Sequence, residues 1–153
     1  MLKVLIVEDG DEYIDNLSRF VSGPQYVQAK NGRDAVKIVK SYTIDIIYLD
    51  MRFDRIANCD LLGDHVKATK EHNGDPLRAL KFIQNNQGLF ILEHFRNNGL
   101  ASIPVILAYD FSREVRRFEY LKRIHSSLVW VKDAVTPSEI RKLFSELTSV
   151  QSR

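Results

Sequence analysis

The chain has 153 residues, of which 44% are hydrophobic and 27% charged, and its 22 basic and 20 acidic residues give a formal net charge of +2. These values are ordinary for one globular domain, and the overall charge indicates no particular partner, since a nucleic-acid site would need a local basic patch. A single cysteine excludes an internal disulfide, no run is long enough to span a membrane, and too few apolar residues precede Glu8 for a signal peptide, so we expect a soluble cytoplasmic protein.

Strands and helices alternate in the first fifty residues. An apolar run over 3–7 predicts a strand, and helical spacing predicts a helix over 11–21. A short strand over 26–29, a second helix after Asn31-Gly32, and a second long apolar strand over 44–49 follow. This β-α-β-α-β order favours a doubly wound parallel sheet, because parallel neighbours need right-handed helical crossovers.

The same alternation returns in the second half of the chain. The predicted elements are a helix over 88–96, a strand over 103–108, a helix over 112–124, a strand over 127–131 and a final helix from 137 to about 147. Thr136 and Glu139 have the spacing of a capping box, with Pro137 at the first helical position. We therefore predict an α/β fold with five strands.

Acidic residues directly follow two of the predicted strands. Glu8 and Asp9 follow the first, and Asp50 follows the third. Ligand sites of open α/β sheets lie at the carboxyl ends of the strands, where these acids would gather. Because neighbouring carboxylates repel one another unless a cation is present, we predict a hard-metal site centred on Asp50.

Four charged landmarks in order resemble the receiver domain of two-component response regulators: Glu8, Asp9, Asp50 and Lys132. The phrases at residues 4–9, 29–35, 88–92 and 103–106 support this resemblance, which covers nearly the whole chain except 51–87. The resemblance implies a single receiver-like domain over 1–153, with a doubly wound five-stranded parallel sheet in the flavodoxin-like order 2-1-3-4-5.

The resemblance also implies roles for particular residues. Asp50 would accept a phosphoryl group from a histidine kinase or phosphotransfer protein. Glu8, Asp9, Asp50 and the backbone carbonyl of Arg52 would hold Mg²⁺. Lys132 would neutralise an oxygen of the phosphoryl group, since phosphoryl transfer depends on positioning and charge neutralisation. Such a protein is a phosphoacceptor rather than a turnover enzyme.

The switch positions depart from the family pattern. Tyr109 stands where the family has Ser or Thr, and Val129 stands where it has an aromatic residue. Asp133 replaces the usual proline after the lysine. Two interpretations therefore stay open: a stand-alone receiver that signals by protein association, and a degenerate receiver that acts as a phosphorylation-independent interaction module.

Residues 51–87 form a segment longer than the family's usual loop, and we predict a helical insertion there. A first helix is predicted from the spacing of Leu61, Leu62, His65, Val66 and Thr69. A second helix begins at Asp75-Pro76 and carries Leu77, Leu80 and Ile83 on one face. These helices could cover the pocket, form a dimer surface or bind a partner.

Other readings of the sequence are less well supported. His65, His72 and Cys59 match no compact zinc motif. The charge pattern of helix 112–124 favours a solvated face over a nucleic-acid site. The resemblance to receiver domains implies instead a protein-binding surface over 110–147. A phosphohydrolase of the haloacid-dehalogenase type would need a second acid two residues after Asp50, where Arg52 stands.

Overall fold

The computed structural model describes residues 1–151 and alternates strands with helices along the chain. The strands are β1 (Lys3–Val7), β2 (Gln25–Ala29), β3 (Ile46–Asp50), β4 (Val105–Ala108) and β5 (Leu128–Val131). The helices are α1 (Glu12–Phe20), α2 (Gly32–Ser41), α3 (His65–Glu71), α4 (Pro76–Asn85), α5 (Gln87–Asn97), α6 (Val115–Ile124) and α7 (Pro137–Gln151), with a 3₁₀ turn at Asn58–Asp60.

The five strands form one sheet in the order β2-β1-β3-β4-β5, and every neighbouring pair is parallel. This arrangement confirms the predicted doubly wound fold and its strand order. Within the described part of the chain, no helix combines the length and apolar character needed to cross a membrane.

The helices cover both faces of the sheet, and strand residues alternate between the two resulting cores. Leu5 and Val7 of β1 face a core shared with α2, α3, α4 and α5. Val4 and Ile6 face a second core shared with α1 and α7. This period-two alternation with apolar residues on both faces explains the near-continuous hydrophobic runs of the central strands.

Side-chain caps define where several helices begin. Asn31 accepts a hydrogen bond from the Asp34 amide at the start of α2, and Asp75 accepts from the Leu77 amide at the start of α4. The predicted capping box at α7 is present, since Thr136 and Glu139 each accept a hydrogen bond from the other's amide. These local signals explain why the helix positions were predictable.

The first helix predicted between residues 51 and 87 begins later than expected. Asp64 accepts a hydrogen bond from the Lys67 amide, so α3 starts at His65, and Leu61 and Leu62 precede it. Leu62 is tied instead to the buried Gln87 of α5, through hydrogen bonds of 2.8 and 2.9 Å. The residues with helical spacing therefore do not share one helix face. Leu61 and Leu62 lie before α3, and His65, Val66 and Thr69 lie within it.

Two apolar residues that the sequence pattern placed on inner helix faces are exposed to solvent. Val66 is 67% exposed and Leu77 is 61% exposed, whereas Ala68, Ala79 and Ile83 are buried. Ala68 marks the inner face of α3, and Ala79 together with Ile83 marks the inner face of α4.

His125, at the end of α6, is a buried histidine beside β4. It is 1% exposed, and its Nε2 lies 3.3 Å from the Ile103 carbonyl oxygen. Its Nδ1 has no hydrogen-bond partner among the described residues. Burial lowers the pKa of this imidazole, and the nearby Lys122 cation lowers it further.

We expect the free energy of unfolding to fall as the pH drops below about 6.5, the ordinary histidine pKa, because the unfolded chain binds a proton that the folded chain excludes. The stabilisation from neutral His125 is complete above that pH and is lost as the pH falls toward the lower pKa of the folded state. His125→Gln retains a donor for Ile103 but does not titrate. Denaturant unfolding of both proteins between about pH 7.5 and pH 5 should show the wild type losing stability faster. The same slope in both proteins would contradict this role, and His65→Gln is the matched control.

Candidate functional site

The carboxyl ends of the parallel strands bring the predicted site residues to one edge of the sheet. Glu8 and Asp9 follow Val7 of β1, and the Glu8 amide donates to the Ala29 carbonyl at 3.1 Å. Asp50 is the last residue of β3 and pairs in register with Ala108 of β4. Lys132 follows β5 at the same edge.

Asp50 lies in a half-buried position among other acids. Its Oδ1 accepts a hydrogen bond of 2.9 Å from the Met51 amide. Burial raises the pKa of Asp50 to about 7, and the charges of Asp9 and Asp133 contribute in the same direction. The charged form of the Asp50 carboxyl is therefore disfavoured, and a nearby cation would stabilise it.

Glu8 is almost completely buried, with 3% of its surface exposed, and its Oε2 accepts a hydrogen bond of 3.0 Å from the Tyr13 amide. Burial raises the pKa of Glu8 to about 7, and its contact with the Glu12 carboxyl and the charge of Asp50 raise it further. Two neighbouring carboxyls with raised pKa values identify this edge as a functional-site candidate.

Asp9 has a different environment. It is 8% exposed, and its Oδ2 accepts two hydrogen bonds of 2.9 Å, from the amides of Asp54 and Arg55. The guanidinium of Arg55 forms an ion pair of 2.7 Å with Glu12, at the start of α1. The stretch that follows β3 therefore crosses over the acidic edge and binds its Asp9 carboxylate.

Carboxylates are suitable ligands for a hard cation, but these three are not arranged around a common point in the structure. All three donors are carboxylates, and the pKa values of Glu8 and Asp50 are raised by burial first and by neighbouring acids second. Across residues 1–151, however, no three Asp, Glu, His or Cys side chains are arranged to hold a metal ion. One oxygen of Asp9, Oδ2, is already bound to the Asp54 and Arg55 amides.

The basic landmarks lie at the rim of the site. Lys132 is exposed, and its charge helps lower the pKa of Asp110, after the Ser112 hydrogen bonds that are the larger cause. It also lines a cavity of about 100 Å³ with Tyr13 and Tyr48. The side chain of Arg52 is turned outward, with Nε 3.1 Å from Asp54.

Tyr109 and Val129, the residues at the predicted switch positions, make contacts away from Asp50. The Tyr109 hydroxyl donates a hydrogen bond to Glu114, which raises the pKa of the tyrosine. Its ring packs edge-to-face on Phe111, with centroids 4.7 Å apart, and Glu114 also binds Arg117. Val129 is half-buried in β5 and packs on the α1/α7 side of the sheet.

Some residues of the site could not be found from the sequence. Glu12 and Arg55 lie far apart in the chain and match no motif, yet their ion pair crosses the acidic edge. Tyr13 and Tyr48 form an edge-to-face pair beside Asp50, with centroids 5.3 Å apart. Tyr48 could have been suspected, since it lies two residues before Asp50 and so points to the same face of β3.

Solved structures with the same fold cover almost the whole chain. A response regulator receiver domain from Francisella superposes with a TM-score of 0.66 at 14% identity, covering 99% of both chains. The receiver domain of a signal transduction histidine kinase from Syntrophus aciditrophicus gives 0.63 at 18% identity, covering 100% of this chain and 94% of the other. The chemotaxis response regulator CheY4 of Vibrio cholerae gives 0.62 at 16% identity, covering 96% and 98%. No family model and no curated protein sequence matches the chain.

Proposed function

We propose, from the premise that this chain has the fold of a response regulator receiver domain, that it accepts a phosphoryl group on Asp50 and signals through protein association. The observation that carries the proposal is the position of Asp50 at the end of β3, in register with Ala108 and beside the buried acid Glu8. The raised pKa values of Asp50 and Glu8 support it, because burial and neighbouring acids together disfavour the charged forms of both groups, as is common at functional sites.

The proposed chemistry assigns one task to each residue. An Oδ atom of Asp50 forms a bond to phosphorus while the bond from phosphorus to the donor's nitrogen or oxygen breaks, and the leaving group takes up a proton. Mg²⁺ held by Glu8, Asp9, Asp50 and the Arg52 carbonyl would neutralise charge on the transferred group. Lys132, on its flexible stem, would contribute a second positive charge.

The proposed donor is a histidine kinase or a phosphotransfer protein, and the proposed location is the cytoplasm. Among structures of the same fold, one is the receiver domain of a signal transduction histidine kinase. Output would pass through a surface in 110–147 or through the helices of 51–87, either to another protein or to a second copy. We assign this chain the role of a phosphoacceptor rather than that of a turnover enzyme.

Intact-mass measurement tests the proposal. After incubation with Mg²⁺ and acetyl phosphate or phosphoramidate, the wild type should gain one phosphate-sized adduct, and Asp50→Asn should gain none. Asp110→Asn, a change of the same kind at the end of β4, should keep the adduct. Removal of Mg²⁺ with a chelator should abolish it. A wild-type protein that stays unmodified under these conditions would contradict phosphoryl acceptance.

One observation favours the second candidate, a phosphorylation-independent interaction module. Tyr109 is bound to Glu114 and packed on Phe111, so it is held by contacts that do not involve Asp50. A chain that binds its partner equally well as wild type and as Asp50→Asn would support this candidate. Partner binding that requires the adduct would reject it.

A further inference from the structure

A cavity of about 100 Å³ adjoins the acidic edge, and two tyrosines, Tyr13 and Tyr48, line it. Ala108 lines it as well, and the register partner of Ala108 in β3 is Asp50. Lys132, which follows β5, also lines the cavity. The cavity therefore brings side chains from α1 together with residues from the carboxyl ends of β3, β4 and β5.

The hydroxyl of Tyr48 is an unpaired polar group on an almost completely buried side chain. Tyr48 is 2% exposed, its ring packs edge-to-face on Tyr13, and its hydroxyl has no hydrogen-bond partner within the described part of the chain. Among the described residues, the fully enclosed side-chain atom without a partner is Nδ1 of His125, so the Tyr48 hydroxyl is not sealed off. The small exposed part of Tyr48 therefore includes its hydroxyl, which opens onto the cavity.

The half-buried Tyr13 presents a second hydroxyl that makes no hydrogen bond in residues 1–151. Burial is the main cause that raises the pKa of both phenols; the charge of Asp50 is the next cause for Tyr13, and Asp133 followed by Asp50 for Tyr48. Both rings are thus within electrostatic reach of the Asp50 carboxyl. Because buried phenols usually have a hydrogen-bond partner, two unpaired hydroxyls in one cavity indicate the site of an acceptor.

We propose that the hydroxyls of Tyr48 and Tyr13 donate hydrogen bonds to an oxygen of the phosphoryl group on Asp50. The inference rests on the proposed function, because it adds contacts to the same group. A phosphoryl group on Asp50 carries three strong acceptor oxygens beyond the carboxyl group. Lys132 lines the same cavity, so its charge and the two hydroxyls would stabilise the same group.

Tyr109, at the position where the family has Ser or Thr, does not supply this hydroxyl. Its own hydroxyl is bound to Glu114, and its ring packs against the core shared with α2 to α5. Tyr48 and Ala108 belong to the other core, shared with α1 and α7. The phosphoryl group would therefore be bound from the α1/α7 side of the sheet.

Tyr48→Phe tests the contact, because it removes the hydroxyl and keeps the ring. With Mg²⁺ and acetyl phosphate or phosphoramidate, adduct formation should slow about 10- to 100-fold, a loss comparable with that of one donor to a reacting oxygen. Tyr13→Phe should slow it in the same direction. Tyr42→Phe, at a tyrosine that is 61% exposed, should react at the wild-type rate. The denaturant midpoint of Tyr48→Phe should not fall, since its hydroxyl makes no bond in the folded chain, whereas a purely structural role would lower stability together with rate.

Fluorine NMR of the full chain containing 3-fluorotyrosine reports on the contact itself. The signals of residues 13 and 48, assigned by their loss in the Phe variants, should shift when the adduct forms, while the Tyr42 signal stays in place. Both Phe variants reacting within twofold of the wild type, or an adduct that moves neither signal, would overturn the inference, leave phosphoryl acceptance standing and assign the cavity to water alone. A wild type that gains no adduct would overturn both proposals.

Discussion

Gly88→Ala is expected to destabilise the fold by about 1–3 kcal/mol, the usual cost of overpacking, and Gly88→Val by more. A Cβ at residue 88 would lie 2.5 Å from the backbone oxygen of Asp50 and 2.9 Å from the Cα of Met51. Both of these atoms belong to the main chain and cannot rotate away. The Gly88 amide also donates to the Met51 carbonyl at 2.8 Å, so α5 is held directly against the end of β3.

The expected loss outweighs the gain of about 0.5–1 kcal/mol that alanine normally brings to a helix. Gly32→Ala is the matched comparison, because the closest atoms there belong to side chains rather than to the main chain: Cδ1 of Leu62 at 2.5 Å and Cγ1 of Ile91 at 2.9 Å. Denaturant unfolding should rank Gly88→Ala as the more damaging change. An equal or smaller loss of unfolding free energy in Gly88→Ala would contradict the close backbone contact between β3 and α5.

Lys132→Gln is expected to slow phosphorylation by a small-molecule donor about 10²-fold, the typical cost of removing one charge-stabilising donor from a reacting group. Lys132 follows Val131, which pairs with Ala108, and Ala108 pairs with Asp50. The lysine thus stands two strands from the acceptor at the same edge. Its exposed side chain can reach inward without breaking a core contact.

Single-turnover rates of adduct formation, followed by mass, measure this effect. Lys142→Gln is the charge-matched control, because Lys142 lines the same surface groove as Lys132 but lies on α7. The control should react at nearly the wild-type rate. A Lys132→Gln rate within twofold of the wild type would remove this lysine from the proposed chemistry.

The parts of the fold that depend on local patterns could be predicted from the sequence. Apolar runs identified the central strands, because strands covered on both faces contain almost no polar residues. Caps such as Asn31, Asp75 and Thr136 marked helix starts through hydrogen bonds to amides a few residues away. The gathering of Glu8 and Asp50 at one edge followed from parallel strand direction alone.

Contacts between distant residues could not be predicted in this way. The bond from the Arg55 amide to Asp9 spans 46 residues, and neither residue has a local pattern that indicates the other. Leu62 looked like part of a helix because its spacing fits one, but its partner Gln87 lies 25 residues away. The hydrogen bonds that tie Asp9 to the stretch after β3 belong to this second class.

The most direct test of the central claim is chemical identification of the modified residue. Borohydride reduction converts an aspartyl phosphate to homoserine, so tandem mass spectrometry after phosphorylation can locate the acceptor in the chain. Phosphoryl acceptance at this site predicts homoserine at position 50, dependent on Mg²⁺. Homoserine at another aspartate, or none in a sample that carries the adduct, would contradict the assignment of Asp50.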